Sequence, residues 1–278
     1  MHCPGKLSYS QPMPADHVPL LQCKQLCVSV PGRRLVAALD LTIEQGEVIA
    51  VLGQNGSGKS LTLMTLAGLR GPESGTVLLD GLDIFQTRRQ RVARRLALLP
   101  QSTDDIFPAT VIDTALIGRH PHIGRFNRES AADRAIANAA LADMGLEALS
   151  GRDVLTLSGG ERRRLAISQV LAQSPDLYLL DEPTNHLDPQ HQLDALCVFR
   201  RAADGGASIV ASLHDVNLAA RFADRCLLLF GDGRWELGPA RRVLTAAALS
   251  ELYETTMEAI DWRSRKLFVA TGDAPFRV

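Results

Sequence analysis

Chemistry is first legible at Gly53-Gln54-Asn55-Gly56-Ser57-Gly58-Lys59-Ser60, which has the spacing G-x-x-x-x-G-K-[ST]. It stands directly after the apolar run Val48 to Leu52 and before a helical run, Leu61 to Leu69. Glycines at those places let backbone amides turn inward around a polyanion, and the helix that follows presents its partly positive N-terminus to the same charge. Lys59 is then placed to reach the β- and γ-phosphates of a nucleotide, with Leu61 lining the same turn and the Ser60 hydroxyl a ligand for Mg²⁺. The loop alone says nucleotide phosphate and leaves kinases, GTPases and motor ATPases open.

A second constellation narrows this. Leu177-Tyr178-Leu179-Leu180-Asp181-Glu182 reads as an apolar strand ending in two acids. Successive strand residues point to opposite sides, so Asp181 is expected to hold the Mg²⁺ shell and Glu182 to polarise an attacking water. Leu157-Ser158-Gly159-Gly160-Glu161 lies between the two sites: Ser158 can cap the next helix, with Glu161 closing a capping box, and Gly159 and Gly160 leave that helix end bare enough for a phosphate.

The elements that must carry these residues follow from hydrophobic patterning. Short runs rich in Val, Ile and Leu occur at Val48 to Leu52, Thr76 to Leu79, Leu96 to Leu99, Leu177 to Leu180, Ser208 to Leu213 and Cys226 to Phe230, with helical patterns between them. Several are too continuous for half-solvated strands, which predicts an α/β layered core with parallel strands covered on both faces. Thr110 to Leu149 carries Ala, Leu and Arg without a strand pattern and reads as a helical insertion. No fixed-period repeat is visible, so one such unit is expected in the 278 residues.

Composition sets the class. With 46% hydrophobic and 22% charged residues the chain is that of an ordinary globular protein, and a net charge of -1 gives no broad positive field for nucleic acid. Arg88, Arg89, Arg91, Arg94 and Arg95 are expected to be a solvated face. No apolar run reaches the roughly 18 residues that span a bilayer, and Met1 to Leu20, polar and Pro-rich, reads as a flexible leader without a secretory signal. Five cysteines without a Cys-x-x-Cys pair fit reduced thiols in the cytosol, and Cys23 and Cys27 read as core residues of one strand in preference to a metal clamp.

Taken together, these motifs resemble the ATP-binding cassette (ABC) family over nearly all of residues 21 to 240, Leu157 to Glu161 being similar to its signature motif with Glu161 where Gln is usual. The resemblance implies a P-loop NTPase of the ABC ATPase fold: a mostly parallel core sheet, an N-terminal antiparallel β portion and an inserted α-helical subdomain. It implies a domain over 21–258 (core about 21–102 and 157–258, helical part about 103–156) and a short tail over 259–278. It further implies a Q-loop glutamine at Gln101 that contacts Mg²⁺, a D-loop aspartate at Asp188 and an H-loop histidine at His214 acting with Glu182. The aromatic residue that the family stacks on adenine has no counterpart near Val30, where Arg33 or Arg34 could stack instead.

ATP and Mg²⁺ are the implied ligands, and two copies head to tail are expected to sandwich the nucleotide, Ser158 and Gly160 of one completing the site of the other. Asp113 to His122 and Asn185-His186-Leu187-Asp188 are similar to the metal-chelate import branch, as is the strand pair expected over Met257 to Ala270. That branch implies two membrane-spanning permease subunits, a periplasmic or surface binding protein upstream, and a peripheral place on the cytoplasmic face of the inner membrane. His120 and His122 are expected to be surface histidines, and the cargo is not written in the chain. A soluble cassette ATPase for iron-sulfur cluster assembly would share every catalytic motif and is the alternative.

Overall fold

Val48–Leu52, Leu177–Asp181 and Ser208–Ser212 are buried at every position, as strands covered on both faces must be. Their side chains alternate between two cores: Val48, Ala50 and Leu52 enter one, and Ile49 and Val51 enter the other. The computed structural model describes residues 18–102, 108–124, 127–263 and 265–271.

In chain order the elements begin with β1 (Leu21–Val30), β2 (Arg33–Ile43), β3 (Val48–Leu52), α1 (Lys59–Leu66), β4 (Ser74–Leu79), β5 (Leu82–Asp83), α2 (Arg89–Arg95) and β6 (Leu96–Leu99). A helical stretch follows, with α3 (Val111–Ile117), α4 (Ala131–Asp143) and α5 (Gly159–Gln173). The chain then alternates through β7 (Leu177–Asp181), α6 (Pro189–Asp204), β8 (Ser208–Ser212), α7 (Val216–Phe222) and β9 (Arg225–Leu229). It continues with β10 (Trp235–Pro239), α8 (Ala240–Val243), α9 (Ala246–Tyr253), β11 (Met257–Trp262) and β12 (Arg265–Ala270).

Six strands form the central sheet in the order β10-β9-β3-β8-β7-β6, parallel except for β10. A separate antiparallel sheet, β2-β1-β4-β5, lies across a core it shares with α1. The antiparallel portion is therefore present as expected, and it contains Thr76 to Leu79, which the sequence pattern had placed with the parallel runs. A continuous apolar run reports burial on both faces and is blind to the direction of its partner.

The helix α5 packs against α3 and α4 and also against β6. β11 starts at Met257, and Phe268 of β12 is buried and exchanges hydrogen bonds with the Asn217 side chain of α7 (2.8 and 3.1 Å). The expected leader falls mostly on residues outside those described, yet Leu20 is buried and its carbonyl accepts from Asp80 N.

Of the arginine run, Arg88, Arg89, Arg91 and Arg94 are exposed, as expected; the half-exposed Arg95 bridges Asp80 and Asp176, and Arg94 Nε donates to the Pro121 carbonyl at 2.7 Å. Cys23 and Cys27 are both buried, Cys23 Sγ donating to Leu39 O and Cys27 Sγ accepting from Ala38 N. No cluster of three metal-ligating His, Cys, Asp or Glu side chains exists among the described residues. His122 is half-buried, its Nε2 lying 2.8 Å from the Gln173 carbonyl, whereas His120 is exposed.

Candidate active site

The strand order brings the sequence motifs to one edge of the sheet. The loop after β3, the turn after β8, the acids at the end of β7 and Gln101 after β6 leave the carboxyl ends of four adjacent parallel strands, where open α/β sheets bind their ligands. Register fixes this closely: Ser212 of β8 lies opposite Val51 on one side and Asp181 on the other.

The loop Gly53 to Gly58 is shaped by its glycines. A Cβ on Gly53 would lie 2.5 Å from both Leu229 O and Ser57 Oγ, and Gly58, at φ +104, enters α1 under Leu35. Gly58 gives α1 no side-chain cap, so the first-turn amides have no side-chain acceptor and are available to an anion. The buried Ser57 hydroxyl has no hydrogen-bond partner, a second polar group in this loop without an acceptor or donor opposite it.

Lys59 is 5% exposed, and its Nζ donates to Gly53 O (2.8 Å) and Gln54 O (3.1 Å). Burial pulls its pKa below the ordinary lysine value, while Glu182 and Asp181 oppose the change. Ser60 is half-buried at the first turn of α1, and Leu61 packs on the core shared with the antiparallel sheet. Asn55 and Gly56 are exposed at the crest of the loop.

Asp181 and Glu182 hold different side-chain partners, and Glu182 lies beyond the end of its strand. β7 ends at Asp181, and Glu182 adopts φ +50, a left-handed conformation uncommon for a residue with a long side chain. Ser212 braces both acids: its hydroxyl donates to Asp181 Oδ1 at 2.6 Å and accepts from Glu182 N at 2.8 Å. The Glu182 carboxylate is buried and collects three side chains. His214 Nε2 is 2.6 Å from Oε1, Gln101 Nε2 donates to Oε2 at 2.9 Å, and Asn185 Nδ2 also donates to Oε2. A carboxylate so held has a fixed aim, which is what a group that orients water requires.

The remaining predicted residues have other hydrogen-bond partners. Ser158 caps α5, its hydroxyl accepting from Glu161 N while Glu161 Oε2 accepts from Ser158 N at 2.7 Å, and this is the capping box expected of the pair. That hydrogen bonding lowers the Glu161 pKa from its ordinary value. Ser158 and Gly159 are exposed, open space surrounds Gly159, and no hydrogen bond joins them to Lys59 of the same chain. Gly160 approaches the His186 carbonyl, 3.3 Å from where a Cβ would be. Asp188 is the exposed N-cap of α6, bonded to His191 N.

Near Val30, which is half-buried, Arg34 is tied to Glu73, and Arg33 Nε donates to the Gly231 carbonyl at 2.9 Å. Three residues of the cluster had been given no role from sequence. Ser212 and Asn185 sat inside segments already singled out, but nothing in their type announced the acceptor each would find. The third is Arg163 of α5, 5% exposed, whose guanidinium, among the described residues, donates to main-chain carbonyls alone: Pro100, Gln101, Asp181, Glu182 and Pro183.

The family model described as ABC transporter matches residues 36–185, which run from β2 through the acid pair to Asn185. The chain belongs to the ABC transporter family. As a member it is an ATP-binding chain with ATPase activity. It is 40% identical over 251 residues to a hemin import ATP-binding protein of Myxococcus xanthus, covering 87% of this chain and 93% of that one. It is 38% identical over 231 residues to a cobalamin import ATP-binding protein of Halobacterium salinarum, covering 82% of this chain and 57% of the longer relative. Among solved structures, an inward-facing "putative metal-chelate type ABC transporter" superposes with a TM-score of 0.79 at 28% identity, over 92% of this chain and 98% of that one.

Proposed function

We propose that this ABC ATPase powers the import of a metal chelate, namely haem, cobalamin or an iron siderophore, from the cytoplasmic face of the cell membrane. The observation that carries the proposal is the likeness, over nine-tenths of the chain, to a metal-chelate type transporter, together with relatives named for hemin and cobalamin import. Among the described residues no helix is long and apolar enough to cross a membrane, so in this reading two permease subunits supply the path and a binding protein delivers the cargo.

Lys59 and the uncapped amides at the start of α1 would hold the β- and γ-phosphates of ATP. The donor set fits Mg²⁺: Ser60, Asp181 and Gln101 offer hard oxygens, too few for an all-protein cage and suited to an ion that keeps water and phosphate ligands. Mg²⁺ bound with the triphosphate would neutralise charge on its β- and γ-oxygens. Glu182 would accept a proton from the attacking water, and His214 and Gln101 would fix the carboxylate for that step. Ser158 and Gly159, both exposed, and the half-buried Gly160 would close on the nucleotide of a second copy, with Asp188 at the same seam.

Reconstitution of the chain with its permease in liposomes, loaded in turn with haem, cobalamin and ferric siderophores, tests the reading. ATP-dependent uptake of one chelate is the expected result. Uptake of none, with ATPase activity that ignores the permease, would overturn it.

A further inference from the structure

We infer that Arg163 is a positioning residue for hydrolysis, a buried guanidinium that locks the main chain at Gln101 and at Glu182 to the helix that Ser158 caps. The inference rests on the general-base role proposed for Glu182 and adds to it the part that sets the base in place.

A buried cation ordinarily meets a carboxylate. Among the described residues every hydrogen bond of Arg163 goes instead to a carbonyl oxygen. Nη1 donates to Pro100 O (2.7 Å) and Gln101 O (3.2 Å) at the end of β6. Nη2 donates to Asp181 O (2.6 Å) and Glu182 O (2.8 Å) at the end of β7, and Nε reaches Pro183 O at 3.4 Å. One rigid plane thus spans two neighbouring loops and fixes their separation, which a lysine, with its donors gathered at a single point, cannot do.

What is pinned matters for chemistry. Glu182 stands at φ +50, and its amide is held on one side by Ser212 and its carbonyl on the other by Arg163 and Asn185 N. Those anchors decide where the carboxylate points, and hence whether it meets His214 and Gln101. Arg163 itself sits on α5, five residues beyond Ser158, so displacement of that helix is passed to both carbonyls through a few bonds. The segment expected to meet a second copy and the residues that handle water therefore move as one body.

The test compares the full-length wild type with Arg163→Lys, Arg163→Ala and Glu182→Gln. Steady-state ATPase kinetics are measured alongside equilibrium binding of a non-hydrolysable ATP analogue. In Arg163→Lys the analogue should bind within about threefold of wild type while kcat falls about 100-fold, the size of loss that misplacing a reacting group by an ångström brings. Added methylguanidinium should raise the kcat of Arg163→Ala saturably while its folded fraction and analogue binding stay unchanged, a combination that a purely structural role would not give. If Arg163→Lys turned over at the wild-type rate beside an inactive Glu182→Gln, the positioning role alone would be lost. Turnover lost in parallel with analogue binding and folded fraction, with no response to methylguanidinium, would also overturn it. An active Glu182→Gln would remove the general-base reading underneath.

Discussion

At the scale of residues, the site is a set of buried charges whose partners decide its chemistry. Asp181 and Glu182 are each 5% exposed, and ions so placed persist only with partners, which Ser212, His214, Gln101 and Asn185 supply. Replacing Glu182 by Gln keeps the shape and removes the proton acceptor. ATP should still bind through Lys59, and turnover should drop by about 100-fold or more, as loss of a general base commonly produces. Filter binding of labelled ATP beside a phosphate-release assay checks both halves, and wild-type release would sink the assignment. The phosphate loop and the acid pair were legible in sequence because each needs particular residues at short spacing next to a strand. Arg163 was not, because its acceptors are carbonyls 18 to 63 residues away and any residue has a carbonyl.

At the scale of elements, the helical part is joined to α5 by close contacts that leave little slack. Gly118, at the C-terminal end of α3, lies so near α5 that a Cβ would stand 2.2 Å from the Gln169 carbonyl, a backbone atom that cannot swing aside. Gly118→Ala should therefore cost about 1–3 kcal/mol of overpacking. Gly151→Ala, where a Cβ meets nothing within 4 Å, should be near neutral, and urea unfolding of the two variants reads the contrast. A second prediction concerns acid. The hydroxyl and backbone amide of Ser130, with the Arg119 guanidinium, lower the Asp133 carboxyl from 3.8 to about 2. Its contribution to stability is present above the higher value and lost as pH falls toward the lower one, so Asp133→Asn should flatten the fall of Tm across that window. An unchanged slope would show that the pair at the start of α4 adds nothing. The capping boxes that start α4 and α5 could be read from Ser-x-x-acid spacing, and the α5 box was. The packing of α5 on α3 and α4 could not, since periodicity shows that a helix has an apolar face and is silent about which neighbour covers it.

At the scale of the whole molecule, two exposed places bear on partners. One is at α3, where Ile117 is 45% exposed. If the permease docks along residues 101–121, Ile117→Asp should reduce transport in reconstituted vesicles and spare the basal ATPase rate, and unchanged transport would move the docking site elsewhere. The other is the uncovered end of α5. Ser158 and Gly159 are exposed, and Gly159 has open space about it, although a helix N-terminus that presents amides should attract phosphate. No hydrogen bond joins it to Lys59 of its own chain, and in the proposed reading the nucleotide it meets is carried by another molecule. If two copies pair head to tail as proposed, each such end meets the loop of its twin, and ATP would lie between them as part of the interface. Ser158→Arg fills that space with a long cation while leaving Gly53 to Ser60 untouched, so each chain should still bind ATP and the pair should no longer form. Light scattering of the variant with ATP, in a Glu182→Gln background that stops turnover, should show monomer where the parent shows dimer. A dimer in both would mean that the end of α5 does not lie at the seam.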